Sequence, residues 1–510
     1  MTRPDRQSWD FIVIGAGSAG CAVAHGLVTR QAGRVLVLEA GPDDSSPLVR
    51  MPFGLVWMIG RGRRDWRFQS TPQAGLGGRR IAIPRGRMLG GSGSINSMVW
   101  FRGRGADFDD WRLPGWSWAE VAPAFDAIEA AVQPRRLTGA HPLTESLTSM
   151  FPAGDPRRIP HPDRESAGVF AFNLHAGRRW SAADAFLRPA LAQGATLRTG
   201  AQVTRLVLRG DRACGVELSD GAHLMANRGV ILSAGAIGSP AILLASGLGP
   251  AGDLRAAGMD PILDLAGIGA NLHDHPGAGL HFQGPGSGYG LVPRLAHRWA
   301  MAPWQWLVAG TGIFASPTVE GGGFFAAHGN GGEPDIQSHF IPFRLPHDGR
   351  RYALAQGYFA DACLCRPRSR GALRLGRGGL EIDLGLFADE TDLDTLTAGW
   401  LRLRDLLQRT DFGPRRAPEV GPGRRITDPE AARDHLRAHA ATAYHPVGTL
   451  RMGTDTDAPV TARLALRGMR ALWVADASIM PAVTSANTNA PSMMIGYRAG
   501  EMIATDALAA

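Results

Sequence analysis

The chain reads as an α/β protein (α+β overall), with a Rossmann-like nucleotide-binding domain assembled from separated segments and a second domain inserted between them. Three observations predict this. Residues 9–41 run in the order buried strand, glycine-rich turn, helix, buried strand, acidic residue, which is the order of a dinucleotide-binding unit. Two more apolar runs, Gly229–Ser233 and Ala471–Ala475, read as buried strands, each followed by a loop and a helix, the last helix from about Ser492. The stretches 120–195 and 280–440 carry no such fingerprint. We therefore expect a nucleotide-binding domain from 1–150, 195–280 and 440–510, and an inserted substrate domain from 151–194 and 281–439.

Each part of the first unit has a mechanical reason. Phe11–Ile14 is a run suited to a parallel strand buried on both faces. Gly15-Ala16-Gly17-Ser18-Ala19-Gly20 follows. Gly15 makes the tight turn, Gly17 lets backbone approach a pyrophosphate, and Gly20 lets helix pack on strand. Ser18 stands where the helix begins, and the free N–H groups there favour phosphate. Val35–Leu38 is the second strand. Glu39 closes it, about 20 residues past the last glycine, placed to accept a ribose hydroxyl and to repel a 2′-phosphate. The fingerprint alone does not separate FAD from NAD. In Ala201–Gly249, Gly210-Asp211 and Asp220-Gly221 mark turns between alternating strands. The glycine-rich run Gly321–Glu333 reads as a mobile loop.

Composition narrows the class. A chain of 510 residues, 44% hydrophobic and 20% charged, suits a globular enzyme of two or three domains. The net charge is +8 and every one of the 54 basic residues is arginine, but no dense basic block with interleaved aromatics appears, so a nucleic-acid partner is not expected. Cys363 and Cys365 are too close for an easy disulfide, and with Cys21 and Cys214 they leave no second pair to complete a zinc site. Four cysteines in this pattern fit a reducing cytoplasm. MTRPDRQSWD carries no apolar export-signal core. The uncharged spans Gly229–Gly252 and Ala300–Val319 reach membrane-spanning length, but Gly, Pro and Ser interrupt both, so no transmembrane segment is expected. Trp304 and Trp306 would line a pocket or touch a membrane surface, leaving peripheral contact with an inner membrane open. Oligomeric state is not fixed by these features.

Four segments carry a family likeness. Gly86–Asp109 (GRMLGGSGSINSMVWFRGRGADFD) and Gly235–Gly249 (GAIGSPAILLASGLG) resemble the two signature segments of the glucose–methanol–choline (GMC) family of FAD oxidoreductases. Thr442–Gly453 (TAYHPVGTLRMG) and Val474–Ile503 resemble its C-terminal motifs, and order and spacing agree from residue 9 to 503. WLVAGTGIFASPTVEGGGFF, PDIQSHFIPF and HPVG resemble the choline-dehydrogenase-like bacterial alcohol dehydrogenases, although the segment around 140–190 is short for that subgroup. The resemblance implies FAD as cofactor and an antiparallel sheet in the inserted domain. It implies that Gly15, Gly17, Ser18, Gly20 and Glu39 hold the ADP half, that Arg87, Gly90, Gly91, Ser92 and Asn96 lie along flavin and pyrophosphate, that Val203 touches adenine, and that Asp476 and Ala477 face the ribityl–pyrophosphate region. Some relatives link flavin covalently through a histidine at the position of Ile95. Isoleucine has no nucleophilic nitrogen, so non-covalent FAD is expected.

The implied reaction is oxidation of a small-molecule alcohol, a primary CH–OH, to the aldehyde, with oxygen or a quinone or dye as the final electron acceptor. It needs a base for the hydroxyl proton, a donor for the developing alkoxide and a hydride acceptor, which is flavin N5. His445 occupies the family's catalytic-histidine motif. Asn489 is assigned the second catalytic position, where its amide would donate to the oxygen without competing for the proton. Asn487 is read as holding the loop. His273, Asp274 and His275 look like a metal cluster but recur in the family as a structural loop, so no metal is expected. Glu320 is the candidate contact for a substrate cation, against an ion pair or loop bond. Non-redox or light-driven lyase chemistry, known on the GMC scaffold, is the alternative.

Overall fold

The computed structural model describes residues 8–151, 158–329, 331–345, 355–423, 426 and 428–509; the first seven residues, part of the stretch read for an export signal, lie outside these. Trp9–Ile14 forms a strand paired in parallel with Val35–Leu38 on one side and His223–Leu232 on the other. Thr196–Arg198 and Leu472–Val474 extend this parallel sheet at either side. Ile12, Val13, Val35, Val37 and Val230–Leu232 are buried, as strands covered on both faces must be. Val203–Arg209 and Arg212–Leu218 add two antiparallel strands through hairpins. Gly210 and Gly221 take positive φ at those turns.

A second sheet is antiparallel throughout. Its order is Glu419–Gly421, Pro276–Gln283, Gly357–Leu364, Ile336–Ile341, Gly321–Phe325, Ser166–Val169, with Ala441–Thr442 also on Pro276–Gln283. Pro276–Gln283 straddles the boundary expected at 280, and Ala441–Thr442, just past the one expected at 440, still pairs with this sheet. One expectation is corrected here. Gly321–Phe325, the start of the run read as a mobile loop, is a buried strand. Its glycines serve close approach: a Cβ on Gly321 would collide with the Gly168 carbonyl, and one on Gly322 with the Ser338 carbonyl.

The two apolar spans are explained by tertiary structure. The first divides into a strand end and the buried helix Gly235–Ala245. The second becomes the helix Ala296–Ala309 and a short turn. No helix among the described residues is long and apolar enough to cross a membrane. Trp306 is buried and its Nε1 donates to the Gly177 carbonyl, whereas Trp304 is exposed.

The helix after the first glycine turn, Ser18–Thr29, packs along the C-terminal helix, which starts at Asn489 rather than at Ser492. The crossing is set by backbone contact: a Cβ on Gly500 would lie 2.8 Å from Gly26 Cα, and one on Gly496 would collide with the Ala19 carbonyl. We expect Gly500→Leu to destabilise the protein by about 3 kcal/mol through overpacking, measurable as a fall in urea midpoint.

Candidate active site

A cavity of about 1380 Å³ opens over the C-terminal ends of the parallel strands, reached by Ile14, Leu38 and Ser233, and is closed on its other side by the antiparallel sheet through Gly277, Gly279, His339 and Phe359. Ligands of open α/β sheets bind at this end. Gly15, Gly17, Ser18, Glu39, Gly91, Ser92, Asn96, Val203, Asp476 and Ala477 all line it. Three expected cofactor residues do not. Gly20 packs the helix on the Gly15 carbonyl, which a Cβ would strike. Gly90 adopts φ +83° and donates its N–H to the Ala16 carbonyl at 2.8 Å, shaping the turn from behind. Arg87 lies over the Trp66 ring and donates to Gln202, standing beside the cavity.

The lining fits a dinucleotide. A Cβ on Gly17 would meet only Gly91 Cα, at 3.9 Å, so this glycine preserves open cavity rather than a protein contact. Glu39 is buried and accepts from Ala16 N at 3.1 Å and Gly41 N at 2.8 Å, leaving lone pairs for a hydroxyl. Burial pushes its carboxyl up to about 7, against the pull of those backbone donors and Arg87. Asn489 Nδ2 is a buried donor without a partner at the start of the 21-residue C-terminal helix, a feature that suits an acceptor-rich ligand. The Gly91–Ser94 turn is braced by Arg179, which sequence reasoning missed: 1% exposed, it donates to the Gly93 carbonyl at 3.1 Å and Asn96 Oδ1 at 2.8 Å. Desolvation lowers its pKa to about 9, partly offset by Asp184. No sequence motif marked it.

His445, Asn487 and His339 form a polar cluster on the cavity wall. His445 Nε2 is 3.2 Å from Asn487 Nδ2, and His445 Nδ1 is 3.0 Å from His275 Nδ1. Asn487 is oriented by Gln337 Nε2, which donates to its Oδ1 at 2.9 Å. An amide N–H can only donate, so the contact assigns the lone pair of His445 to Nε2 and its proton to Nδ1, facing His275. Burial first, and then the nearby His275, His339 and Arg85, hold the His445 pKa well below its ordinary value. Asp274 Oδ1 accepts from the backbone N–H of both His445 and His275 at 2.8 Å, fixing the two rings' backbones relative to each other.

Two assignments change. Asn487, not Asn489, stands against His445. Asn489 Oδ1 instead accepts from Ser18 Oγ at 2.7 Å, one side of the cofactor cradle. The reason is the backbone: Asn487 precedes the C-terminal helix, whereas Asn489 begins it and is turned toward the glycine loop. Glu320 does not line the cavity. It is 1% exposed, and its carboxylate accepts from His141 N at 2.7 Å, Thr144 Oγ1 at 3.1 Å and Ser316 Oγ at 2.8 Å. This is the loop-bond outcome. His273 is likewise taken by backbone, bonding the Asn271 carbonyl and accepting from Val483 N. A further group was missed. His339 Nδ1 is 3.0 Å from Asp361 Oδ1 and its Nε2 is 3.4 Å from Asn487 Nδ2, with Cys363 Sγ 3.9 Å from the same Nδ1. Burial lowers the His339 pKa, but Asp361 outweighs it, leaving the group raised. His339 lay in a segment quoted only for its likeness, and nothing in the sequence joined it to Asp361.

Comparison with known proteins places this geometry. Family models described as GMC oxidoreductase match residues 9–277 and 367–496. The oxygen-dependent choline dehydrogenase of Rhizobium johnstonii is 34% identical, covering 97% of this chain and 95% of that protein. The crystal structure of pyridoxine 4-oxidase from Mesorbium loti superposes with a TM-score of 0.82 at 27% identity, covering 96% of this chain and 98% of that one. Formate oxidase from Aspergillus oryzae shares the fold, with a TM-score of 0.85 at 22% identity over 98% and 99% of the two chains.

Ile95, which lines the cavity, offers no atom for a covalent link. We expect acid precipitation to leave a colourless pellet and to release the flavin to the supernatant; a pellet that stays yellow overturns the reading.

Proposed function

This chain belongs to the GMC oxidoreductase family of FAD enzymes, and we propose that it oxidises a primary alcohol to the aldehyde, with His445 as base. The reading is carried by one observation: an imidazole nitrogen and an amide nitrogen, His445 Nε2 and Asn487 Nδ2, converge to 3.2 Å inside the cavity that the dinucleotide cradle lines. A hydroxyl group set against both would donate to the imidazole and accept from the amide. Bound FAD supplies the hydride acceptor. His445 Nε2 takes the hydroxyl proton, and the imidazolium so formed is stabilised through Nδ1–H by His275. Asn487 Nδ2–H donates to the oxygen as negative charge develops on it. His339, held by Asp361, adds a second polarising group across Asn487. Asn489 is reassigned to the cofactor. We take the parallel-sheet segments as the cofactor domain and the antiparallel sheet as the substrate wall.

The cavity also favours a substrate body. Its lining includes an aromatic cluster of Phe53, Trp57, Tyr289, Trp299 and Phe343. Among the described residues, its carboxylates are Glu39 in the ADP region, Asp476, which accepts from Gly235 N and Ser239 Oγ, and Asp361, bound to His339. With Glu320 committed elsewhere, we propose an uncharged alcohol with an apolar or aromatic body rather than a quaternary ammonium alcohol. Oxygen or a quinone-type acceptor then reoxidises the enzyme.

The test is anaerobic bleaching of the flavin band. Benzyl-type alcohols should bleach it and choline should not; the reverse order would restore a cation site, and admitting air would separate oxidase from dehydrogenase by the speed of recovery. Loss of the base in His445→Ala should lower kcat by about a thousandfold with flavin retained. Asn487→Ala should cost about a hundred- to a thousandfold in kcat. Asn489→Ala should act mainly on flavin retention, and a larger kcat loss there than in Asn487→Ala would reverse the assignment. Because His445 works unprotonated and its pKa is depressed by burial and neighbouring cations, the acid limb of kcat/KM should fall below about pH 6.5. An acid limb above that value would sink the proposed charge state.

A further inference from the structure

The helix Ala296–Ala309 is half covered. Ala302 and Trp306 pack with Met51, Phe53 and Ile313 on its inner side. Its outer side carries Met301 (47% exposed), Trp304 (60%), Leu307 (60%) and Val308 (67%), with Leu291 (47%) just before the helix. These positions recur every three to four residues and so form one stripe, about 11 Å long from Met301 to Val308 on the 14-residue helix. A water-facing helix has no use for such a stripe, and contiguous exposed apolar surface marks an interaction face.

Charge says what kind. From Pro276 to Val319 the sequence has no Asp or Glu, and its charged residues are Arg294 and Arg298. The flanking stretch Ser45–Arg64 also lacks acids and carries Arg61, Arg63 and Arg64, whereas its Arg50 is paired with Asp44 and Asp184. Arg178 lies 5.7 Å from the Trp306 ring centroid, at the base of the same helix. At the N-terminal end of the stripe is a recess of about 550 Å³ lined by His141, Arg294, Arg298, Gln356 and Arg415, with no carboxylate among its described lining residues. Arg298 is one turn before Met301, so the recess and the apolar stripe adjoin.

From this pairing we propose that the Ala296–Ala309 helix lies on an anionic lipid bilayer, its Trp304–Val308 face at the boundary between headgroups and acyl chains and the Arg294–Arg298–Arg415 recess on the lipid phosphates. An amphipathic helix with tryptophan on one face and arginine at its border is built to lie in the interface rather than to span it. A second copy of the chain is a poorer occupant, because a two-fold contact would set these arginine rims against each other with no acid to meet them. The site cavity opens beside the same face: Leu291 and Trp299 line it, and Tyr289 lines both the cavity and the recess. A hydrophobic alcohol or electron acceptor dissolved in the membrane would therefore reach the cavity without crossing water.

The experiment is sedimentation of the flavin-loaded, full-length protein with vesicles of phosphatidylcholine, alone or with about one third phosphatidylglycerol. Binding is expected to the anionic vesicles, weakened by salt and accompanied by a blue shift of tryptophan emission. A Trp304→Ser/Leu307→Ser/Val308→Ser variant should bind about tenfold or more weakly. Arg298→Glu should weaken binding at low salt. Both should keep the wild-type flavin spectrum and melting temperature, since the altered side chains lie on the surface. Equal sedimentation of wild type and triple variant overturns the proposal, as does the absence of wild-type binding. A wild-type dimer by light scattering that the triple variant alone dissolves, without lipid binding, would assign the face to a second copy instead.

Discussion

The structure depends on bringing backbone to backbone where side chains would ordinarily keep strands and turns apart. Gly91 sits at φ +55°, and a Cβ on it would lie 2.8 Å from Gly17 Cα. That approach places the turn after residue 90 against the first glycine turn, and the space in front of Gly17 stays open. The same device recurs where Gly26 meets Gly500, so the C-terminal helix lies close along the first helix and delivers its N-terminus, with Asn489, to the cradle. Each contact exchanges local chain freedom for a precise approach of two segments distant in sequence.

Around the cradle the protein disfavours a positive charge on His445. His445 is desolvated, has a second imidazole on one nitrogen and an amide donor on the other, and is surrounded by cationic or titratable neighbours that disfavour a further positive charge. His339 is treated differently: Asp361 raises its pKa against the cost of burial, while its Nε2 faces the same Asn487 amide. Two histidines on either side of one asparagine therefore have pKa values displaced in opposite directions.

The antiparallel sheet shows why residue types read one at a time mislead. A glutamate in an apolar context suggested a cation contact, yet His141, Thr144 and Ser316 converge on it and use its acceptors for backbone and hydroxyl donors. A glycine-rich run suggested mobility, yet it is an inner strand whose neighbours leave no room for side chains. In both cases the residue answers to partners more than a hundred positions away or to the far side of a sheet, which composition and spacing do not encode.

Local physics made part of the molecule legible from its order of residues. Apolar runs, the Gly15–Gly20 turn and the Asp-Gly and Gly-Asp turns are short-range signals, and they specified the first strand–turn–helix–strand unit, the hairpins of 203–232 and the late strand near 472. That the Gly15–Ser18 turn, Glu39 and His445 line one cavity agrees with their place in short motifs whose spacing fixes them within a few turns of chain. Which asparagine meets His445 was not legible, since Asn487 and Asn489 differ only in where the C-terminal helix begins, and that is set by its packing on the first helix. The His275–His445 contact, the His339–Asp361 pair and the bracing Arg179 likewise join segments through long-range packing and desolvation, so only the tertiary structure decides them.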